Sequence, residues 1–204
     1  MEDGKLSLDL LMGLSIFLFT FIFVANFLPG VFADVRNEIN LANQAYRIST
    51  LLVEDPGYSS SWYNITEDRC RTEEFRPGLA VYDLETGVKY NNLSVEKIQA
   101  FARLLNNTTC IERVRFYLGL NLSTLGGQVF RFNVSLKNLA GDLVTYNRSV
   151  LLNHGDKIPV TQVVRFERIV YLDKWADNCN VTIEGQNVAI ADRCVAKLEV
   201  SVWI

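Results

Sequence analysis

Residues 10–33 read LLMGLSIFLFTFIFVANFLPGVFA, a predominantly apolar run without a charged side chain. A helix rises about 1.5 Å per residue and needs roughly 20 apolar residues to cross the hydrocarbon core of a bilayer, so this run is long enough. The segment before it, MEDGKLSLD, is partly acidic. A cleaved secretory leader normally has a basic start and a shorter apolar core. The sequence therefore predicts a membrane helix that stays in the mature chain.

The short segment in front of the apolar run is Lys5-Leu6-Ser7-Leu8-Asp9. It resembles the processing site of archaeal type IV pilin-like proteins with class III leaders, in which a prepilin peptidase cuts before a Gln-x-Ser-x-Glu segment. Lys5 and Asp9 stand where that family usually has Gln and Glu. The resemblance implies a cut between Gly4 and Lys5, so that residues 1–4 form a short leader and a prepilin peptidase is a partner.

Asp9 lies at the edge of the predicted membrane helix, where a carboxylate usually has a partner and a purpose. The resemblance implies that Asp9 pairs with the new α-amino group of an adjacent subunit during filament assembly. Residue chemistry alone allows a second interpretation, in which Asp9 marks the water interface near the positive end of the helix dipole. The partners implied by the first interpretation are membrane lipid and further copies of this chain or related pilin-like subunits.

A second helical pattern follows the membrane run. Apolar residues recur there at spacings of three and four, and Asp55-Pro56-Gly57 supplies a stop. Pro29-Gly30 is expected to kink or interrupt the helix between the two patterns. The pattern predicts an apolar stripe that packs on the chain's own globular domain. The stripe comprises Val31, Val35, Ile39, Ala42 and Tyr46, flanked by Leu41, Ala45, Ile48 and Leu52.

The remaining sequence changes to a period of two, which is typical of half-buried strands. The clearest examples are Phe130 to Lys137 and Ala196 to Val202. One helix is expected between strands, with Ser94 as its N-cap and Leu105 near its end. Alternation fails around Arg168, which predicts a bulge or a change of sheet there. The other predicted strands are Leu79 to Asp83, Val114 to Leu120, Leu143 to Leu152, Val160 to Leu172 and Asn180 to Glu184.

These patterns predict an α+β fold with two parts after the leader. Residues 5–55 form a long helix with a membrane-spanning lower half and an amphipathic upper half. Residues 56–204 form a mostly antiparallel, β-sandwich-like head domain with one inserted helix, large enough for a single core. The sequence contains no internal repeat that would indicate a second globular domain.

Asparagine sequons indicate that the head domain lies outside the cell. Eight Asn residues begin an Asn-x-Ser/Thr sequon without proline, a density typical of an exposed, glycan-bearing ectodomain. Adjacent Asn106 and Asn107 are not both expected to be modified. The sequons begin at Asn64, Asn92, Asn106, Asn107, Asn121, Asn133, Asn147 and Asn180.

The four cysteines agree with an oxidising location. None forms a Cys-x-x-Cys pair, so a zinc site of ordinary ligand spacing is not expected. Of the three possible connectivities we favour Cys70 with Cys110 and Cys179 with Cys194, because each pair then stays within its own region. Four free buried thiols are the alternative.

Catalysis, metal binding and cofactor binding are not expected. The one histidine, His154, lies in an Asn-His-Gly-Asp segment that we expect to be a solvated turn, so it offers no nucleophile–base pair. No phosphate-binding glycine loop is present in the sequence. The net charge of −3, without a basic run, argues against nucleic acid as a partner.

Two functions from different classes fit this sequence. The first is a structural subunit, a membrane-anchored pilin-like glycoprotein that assembles into a surface filament through its N-terminal helix. The second is a single-pass surface glycoprotein that acts as a binding ectodomain without polymerising. The first predicts a mature chain beginning at Lys5, whereas the second predicts an unprocessed N-terminus.

Overall fold

The computed structural model describes the backbone of residues 3–59, 61–121, 129–160, 162–179, 181–183, 186–188 and 194–204. Within these ranges, side chains are described from residue 10 onward, except those of Asp34 and of residues 181–188. The chain has two compact units, Met1–Asn40 and Leu41–Ile204. We call the second unit the head unit. It includes the last residues of the first helix.

Helix α1 spans Asp3–Glu54 and contains Pro29 in its interior. Of the two outcomes expected at Pro29-Gly30, an interruption of the helix is therefore wrong, and a kink stays a prediction. Proline removes one N–H donor, but the residues on both sides keep helical geometry, so the helix continues. The stop at Asp55-Pro56-Gly57 is confirmed, since α1 ends at Glu54 and Gly57 adopts a φ of +92°, which glycine tolerates best.

The upper part of α1 packs within the head unit, as predicted, but through a different face. The expected centre of the stripe is wrong, because Ala42 is exposed and the Tyr46 side chain is 51% exposed. The buried face consists of the flanking series Leu41, Ala45, Ile48 and Leu52, each at most 3% exposed. These residues repeat at three and four positions and so line one side of the helix.

The head unit is built around one six-stranded sheet. The strands of this sheet are β1 (Ala80–Asp83), β2 (Gly87–Leu93), β3 (Arg131–Lys137), β6 (Asn153–Gly155), β7 (Val164–Leu172) and β10 (Cys194–Trp203). Their order across the sheet is β1-β2-β7-β10-β3-β6, and all neighbouring strands are antiparallel except β2 and β7. The α+β class with a mostly antiparallel sheet is confirmed.

Two short hairpins accompany the main sheet. The first pairs β4 (Thr145–Tyr146) with β5 (Ser149–Val150), and the second pairs β8 (Val181–Ile183) with β9 (Gln186–Val188). The first hairpin replaces the long strand expected over Leu143 to Leu152. In the second, β8 lies within the strand expected over Asn180 to Glu184, and β9 follows it along the chain. Asn180 itself lies outside the described residues.

The described residues of the head unit form two further α-helices where the sequence predicted one. Helix α2 spans Val95–Asn106, as expected, and α3 spans Thr108–Tyr117. The strand expected over Val114 to Leu120 is wrong, because Asn107 caps α3 by accepting hydrogen bonds from the backbone N–H groups of Thr109 and Cys110. A 3₁₀ turn covers Trp62–Asn64.

Strand β7 is regular through Arg168, so the bulge or sheet change expected there is wrong. Its pairing with β10 runs without a shift from Val164 opposite Val202 to Leu172 opposite Cys194. Arg168 shares a face with Val170 and Leu172, which are buried. A bulge lies instead in β1, between Ala80 and Val81.

Apolar side chains from α1, α2, α3 and the inward face of the sheet form one core. An ionic contact joins α3 to the sheet at its edge, where the Arg115 guanidinium donates to the Asp156 carboxylate. Arg115 is only 6% exposed, and Asp156 also accepts from the Phe132 N–H at 3.2 Å. Burial alone lowers the pKa of Arg115, but hydrogen bonds to Asp156 and Glu112 raise this pKa above its ordinary value.

Both predicted disulfides are confirmed. Cys70 pairs with Cys110 across a Cα–Cα distance of 5.6 Å and ties the segment before β1 to α3. Cys179 pairs with Cys194 across 5.2 Å and ties the start of β10 to the segment after β7.

Candidate functional site

The lower part of α1 carries exposed apolar side chains. Within the described residues, α1 is the one helix long and apolar enough to cross a membrane, and its most apolar window has no buried residue. Leu10 is 75% exposed and Phe19 is 74% exposed. A contiguous apolar surface of this kind on one element marks a membrane or partner contact.

Polar side chains inside this apolar stretch hydrogen-bond to their own helix. The hydroxyl groups of Ser15 and Thr20 donate to the carbonyl groups of Leu11 and Ile16, at 2.7 and 2.9 Å. The amide of Asn26 donates to the Ile22 carbonyl at 2.8 Å. Such bonds to the preceding turn reduce the cost of placing polar groups in hydrocarbon.

The predicted processing and assembly residues all fall on the first turns of α1. The backbone of Gly4, Lys5 and Asp9 is helical, and their side chains lie outside the described part of the chain. The peptide bond expected to be cut and the carboxylate expected to pair are therefore placed by sequence position alone. Their roles stay predictions.

Main-chain hydrogen bonds within the head unit join the end of α1 to the start of β1. The N–H of Leu79 donates to the Leu52 carbonyl at 2.9 Å, and the N–H of Ala80 donates to the Asp55 carbonyl at 3.2 Å. These bonds satisfy carbonyl groups that a helix C-terminus leaves without an intrahelical partner. Helix α1 therefore ends directly against strand β1.

Side chains complete this junction around Pro56. The half-buried Lys97 ammonium donates to the carbonyl groups of Pro56 and Ala80, at 2.7 and 2.8 Å. The Trp62 indole N–H also donates to the Pro56 carbonyl, at 3.1 Å. Burial lowers the pKa of Lys97. Lys97 was not singled out from the sequence, because a lysine in the first turn of an amphipathic helix is normally solvated.

Gly78 makes the close approach of the two segments possible. A Cβ atom at this position would lie 2.3 Å from the Asp55 carbonyl oxygen and 2.4 Å from the Gly57 nitrogen. Both are main-chain atoms held in the turn after α1, so neither can move aside without disturbing the junction.

Gly78→Ala is expected to lower the free energy of unfolding by about 3 kcal/mol. The added Cβ would clash with main-chain atoms, and this clash can be relieved only by a shift of the main chain. Chemical denaturation of the full chain in detergent, followed by tryptophan fluorescence, measures the loss. Gly87→Ala is the control, since Gly87 has a φ of +76° but no atom within 4 Å of the added Cβ. It should lose only about 1 kcal/mol, from backbone strain. Equal losses would show that contact at Gly78 is unimportant.

A cation–π cluster joins α1 to the inward face of the sheet. The Arg168 guanidinium carbon lies 5.2 Å from the Tyr46 ring centre and 5.4 Å from the Phe166 ring centre. The same guanidinium donates to the Thr50 hydroxyl at 2.8 Å. In the sequence, the break in alternation at Arg168 was the one sign of this cluster. It indicates a contact between Arg168 and α1 only once α1 is known to cover the strand.

A surface groove of about 670 Å³ lies beside this cluster. Two aromatic side chains border it, Tyr46 and Tyr90, which are 51% and 67% exposed. The rest of the lining comes from Arg47, Thr50, Leu51, Glu54, Asp55 and Pro56. Arg47 is fixed by a hydrogen bond to the Leu118 carbonyl at the end of α3.

The sequon asparagines divide into two environments. Asn64, Asn106 and Asn147 are exposed, whereas Asn92, Asn107, Asn121 and Asn133 are partly buried. Asn180 lies outside the described residues. The disulfide residue Cys110 lies close to one of these positions, since its backbone N–H donates to the Asn107 side chain at 3.2 Å.

No metal site is apparent where side chains are described, because no three His, Cys, Asp or Glu residues there are grouped closely enough to hold an ion. The expectation for His154 is corrected. It lies on β6 opposite Val134 rather than in a solvated turn, and burial lowers its pKa.

Comparison with known proteins adds a family. Residues 1–79 match the model of a family of unknown function, DUF7287. An "Uncharacterized protein" of Archaeoglobus fulgidus is 48% identical over 206 residues, which cover 100% of this chain and 99% of that protein. No solved structure matches the chain. Identity at this level along both proteins shows common descent, so the chain belongs to the same family as this archaeal protein and carries a DUF7287 segment over residues 1–79.

Proposed function

We propose that the protein is a non-catalytic, membrane-anchored surface protein that serves as a pilin-like structural subunit. The observation that carries the proposal is the exposed apolar part of α1, whose polar side chains are already bonded to their own backbone. Such a helix is stable in lipid, and it is equally stable among identical apolar helices. Transfer from the bilayer into a filament core therefore needs little new apolar burial.

The N-terminal segment supplies the steps that would start assembly. Prepilin peptidase would cut between Gly4 and Lys5, and the freed α-amino group of Lys5 would face the Asp9 carboxylate of a neighbouring copy. The attraction between these two charges is stronger in a low-dielectric environment than it is in water. The head unit, held outside the membrane, would then form the filament surface.

N-terminal sequencing of the full chain, purified from its native membrane, tests this proposal. A mature chain that begins at Lys5 and resists alkaline carbonate extraction is the expected result. A chain that begins at Met1 would remove the pilin-like assignment while keeping the anchor. A chain released by carbonate would remove the anchor as well.

Asp9→Ala is expected to leave membrane insertion unchanged and to reduce filament yield by about tenfold or more, because the loss of about 1.4 kcal/mol per contact already changes an association constant tenfold. Electron microscopy and quantification of filaments sheared from cells measure the yield. Asp9→Glu is the matched control, since it keeps the carboxylate, and its yield should stay near that of the parent. Equal yields for Asp9→Ala and the parent would remove any assembly role for Asp9.

One observation favours the second function, a binding ectodomain that does not polymerise. The groove between Tyr46 and Tyr90 is lined by aromatic, aliphatic and charged side chains, a combination that suits a small partner segment. The same N-terminal sequencing separates the two functions, because a non-polymerising ectodomain has no need of cleavage at Gly4.

A further inference from the structure

N-linked glycosylation places a chemical demand on the acceptor asparagine. A bond forms between Nδ2 and the anomeric carbon of a sugar, and the bond from that carbon to the phosphate of a lipid-linked oligosaccharide donor breaks. The lipid phosphate leaves, and one amide proton is lost. The modified Nδ2 keeps a single N–H and carries a large polar group, so it must point into open solvent.

Six sequons can be judged, because both their asparagine and their Ser or Thr are described: those at Asn64, Asn92, Asn106, Asn107, Asn133 and Asn147. Three of these asparagines are open. Asn64 ends the 3₁₀ turn, Asn106 ends α2 and Asn147 lies in the β4–β5 turn with a φ of +50°. All three are exposed, and no hydrogen bond from their side chains is observed within the described residues.

Three hydrogen bonds hold the Asn107 side chain in place. Its Oδ1 accepts from the N–H groups of Thr109 and Cys110, at 2.9 and 3.2 Å, and its Nδ2 donates to the Glu67 carboxylate at 2.9 Å. A sugar on Nδ2 would have to displace Glu67 and would stand beside the disulfide at Cys110. The cap on α3 therefore competes with modification.

Asn133 and Asn92 are partly buried on strands of the main sheet. Asn133 lies on β3 between β10 and β6, and its Nδ2 donates to the Asp156 carbonyl at 3.3 Å. The hydroxyl residue of that sequon, Ser135, is only 4% exposed. Asn92 is partly buried on β2 opposite Tyr171 of β7, and its Oδ1 is buried. A sugar on either asparagine would have to leave a partly buried side chain that lies between neighbouring strands.

We infer that the head unit is glycosylated at Asn64, Asn106 and Asn147, whereas Asn92, Asn107 and Asn133 stay unmodified. This inference rests on the proposed function, since it requires the head unit to lie outside the membrane. It assigns the neighbouring asparagines Asn106 and Asn107 opposite roles, the first as a glycan acceptor and the second as a helix cap. The attached group belongs to the class of oligosaccharides transferred from lipid phosphate.

Adjacent sequons can be separated by their third residues. Thr108 completes the sequon of Asn106, and Thr109 completes that of Asn107. Thr108→Ala therefore removes one acceptor and Thr109→Ala removes the other, while both asparagines stay in place. Thr109 also accepts a hydrogen bond from Arg71 at 3.1 Å, on an exposed surface, so its loss leaves the core untouched.

The experiment is intact-mass analysis of the full chain from its native host, with electron-transfer fragmentation of its glycopeptides. Sugar is expected on Asn64, Asn106 and Asn147 and on none of the other three. Thr108→Ala should lose the mass of one glycan, and Thr109→Ala should lose none. Fragmentation of the parent protein locates each sugar even where a variant fails to fold.

Three outcomes would overturn the inference. Sugar on Asn92, Asn107 or Asn133 would show that their hydrogen bonds and burial do not prevent modification. A head unit that is digested by external protease in intact cells but carries no sugar at the three open sites would overturn the inference and leave the proposed function standing. A sugar-free head unit protected from external protease would overturn both.

Discussion

Asp156→Ala is expected to lower the free energy of unfolding of the head unit by about 3 to 5 kcal/mol. The substitution leaves the Arg115 guanidinium, only 6% exposed, without its main acceptor. Glu112 still accepts from this guanidinium, but its side chain is 56% exposed, and a buried charge that loses most of its pairing costs far more than a lost surface contact. Removing Asp156 also frees the Phe132 N–H, which lies 3.2 Å from this carboxylate. Equilibrium denaturation in detergent measures the loss.

Glu112→Ala is the matched control for this prediction. Glu112 accepts from the same guanidinium, but its side chain is 56% exposed, so its removal should cost no more than about 1 kcal/mol. The double variant Arg115→Met, Asp156→Ala should be more stable than Asp156→Ala alone, since it removes both charges. Similar losses for Asp156→Ala and Glu112→Ala would show that the buried contact with Asp156 stabilises the head unit no more than the exposed contact with Glu112.

Joint replacement of Cys70 and Cys110 by Ala is expected to cost about 4 kcal/mol. The chain-entropy model attributes this value to a cross-link over a sequence separation of 40. The bridge between Cys179 and Cys194 closes a sequence separation of only 15, so joint replacement of these two cysteines should cost about 3 kcal/mol. Paired replacement avoids leaving a reactive thiol in either case.

Thermal unfolding of the two paired variants and the parent, under oxidising conditions, measures both losses. The order of the two effects is the informative result, because both bridges lie in the same head unit. A larger loss at Cys179 and Cys194 would mean that local packing, rather than the length of the closed loop, sets the contribution of each bridge.

Periodic patterns predicted strands β3 and β10 and helix α2, because Phe132, Leu198 and Ile98 each begin or continue a regular series of buried residues. The patterns did not predict that the other face of these strands is also covered, at Ser135, Glu199 and Ser201. The stop of α1 was also predictable, since Pro56 and Gly57 act locally. Cysteine pairing followed from separation along the chain.

Helix α3 was missed because its apolar residues suit a strand as well as a helix. Val114, Phe116 and Tyr117 favour strands by intrinsic preference. Capping by Asn107 and the bridge from Cys110 to Cys70 decide the helix, and the second of these depends on tertiary structure. A local pattern cannot report a contact over such a separation.

The inward position of Arg168 was missed for a related reason. A charged side chain normally breaks an alternating strand, but here Tyr46, Phe166 and Thr50 surround the guanidinium. Lys97 and Gly78 likewise derive their roles from the end of α1, which meets them only in the folded chain. The sites that join α1 to the sheet therefore depend on the fold more than on any motif.

The central position of β10 has a consequence for biosynthesis. This strand follows β3 and β7 along the chain and pairs with both of them, so it joins the β1-β2-β7 part of the sheet to the β3-β6 part. The two parts cannot form one sheet before β10 has been synthesised. A nascent chain that has not yet reached Cys194 therefore exposes an unpaired edge on β7 and another on β3.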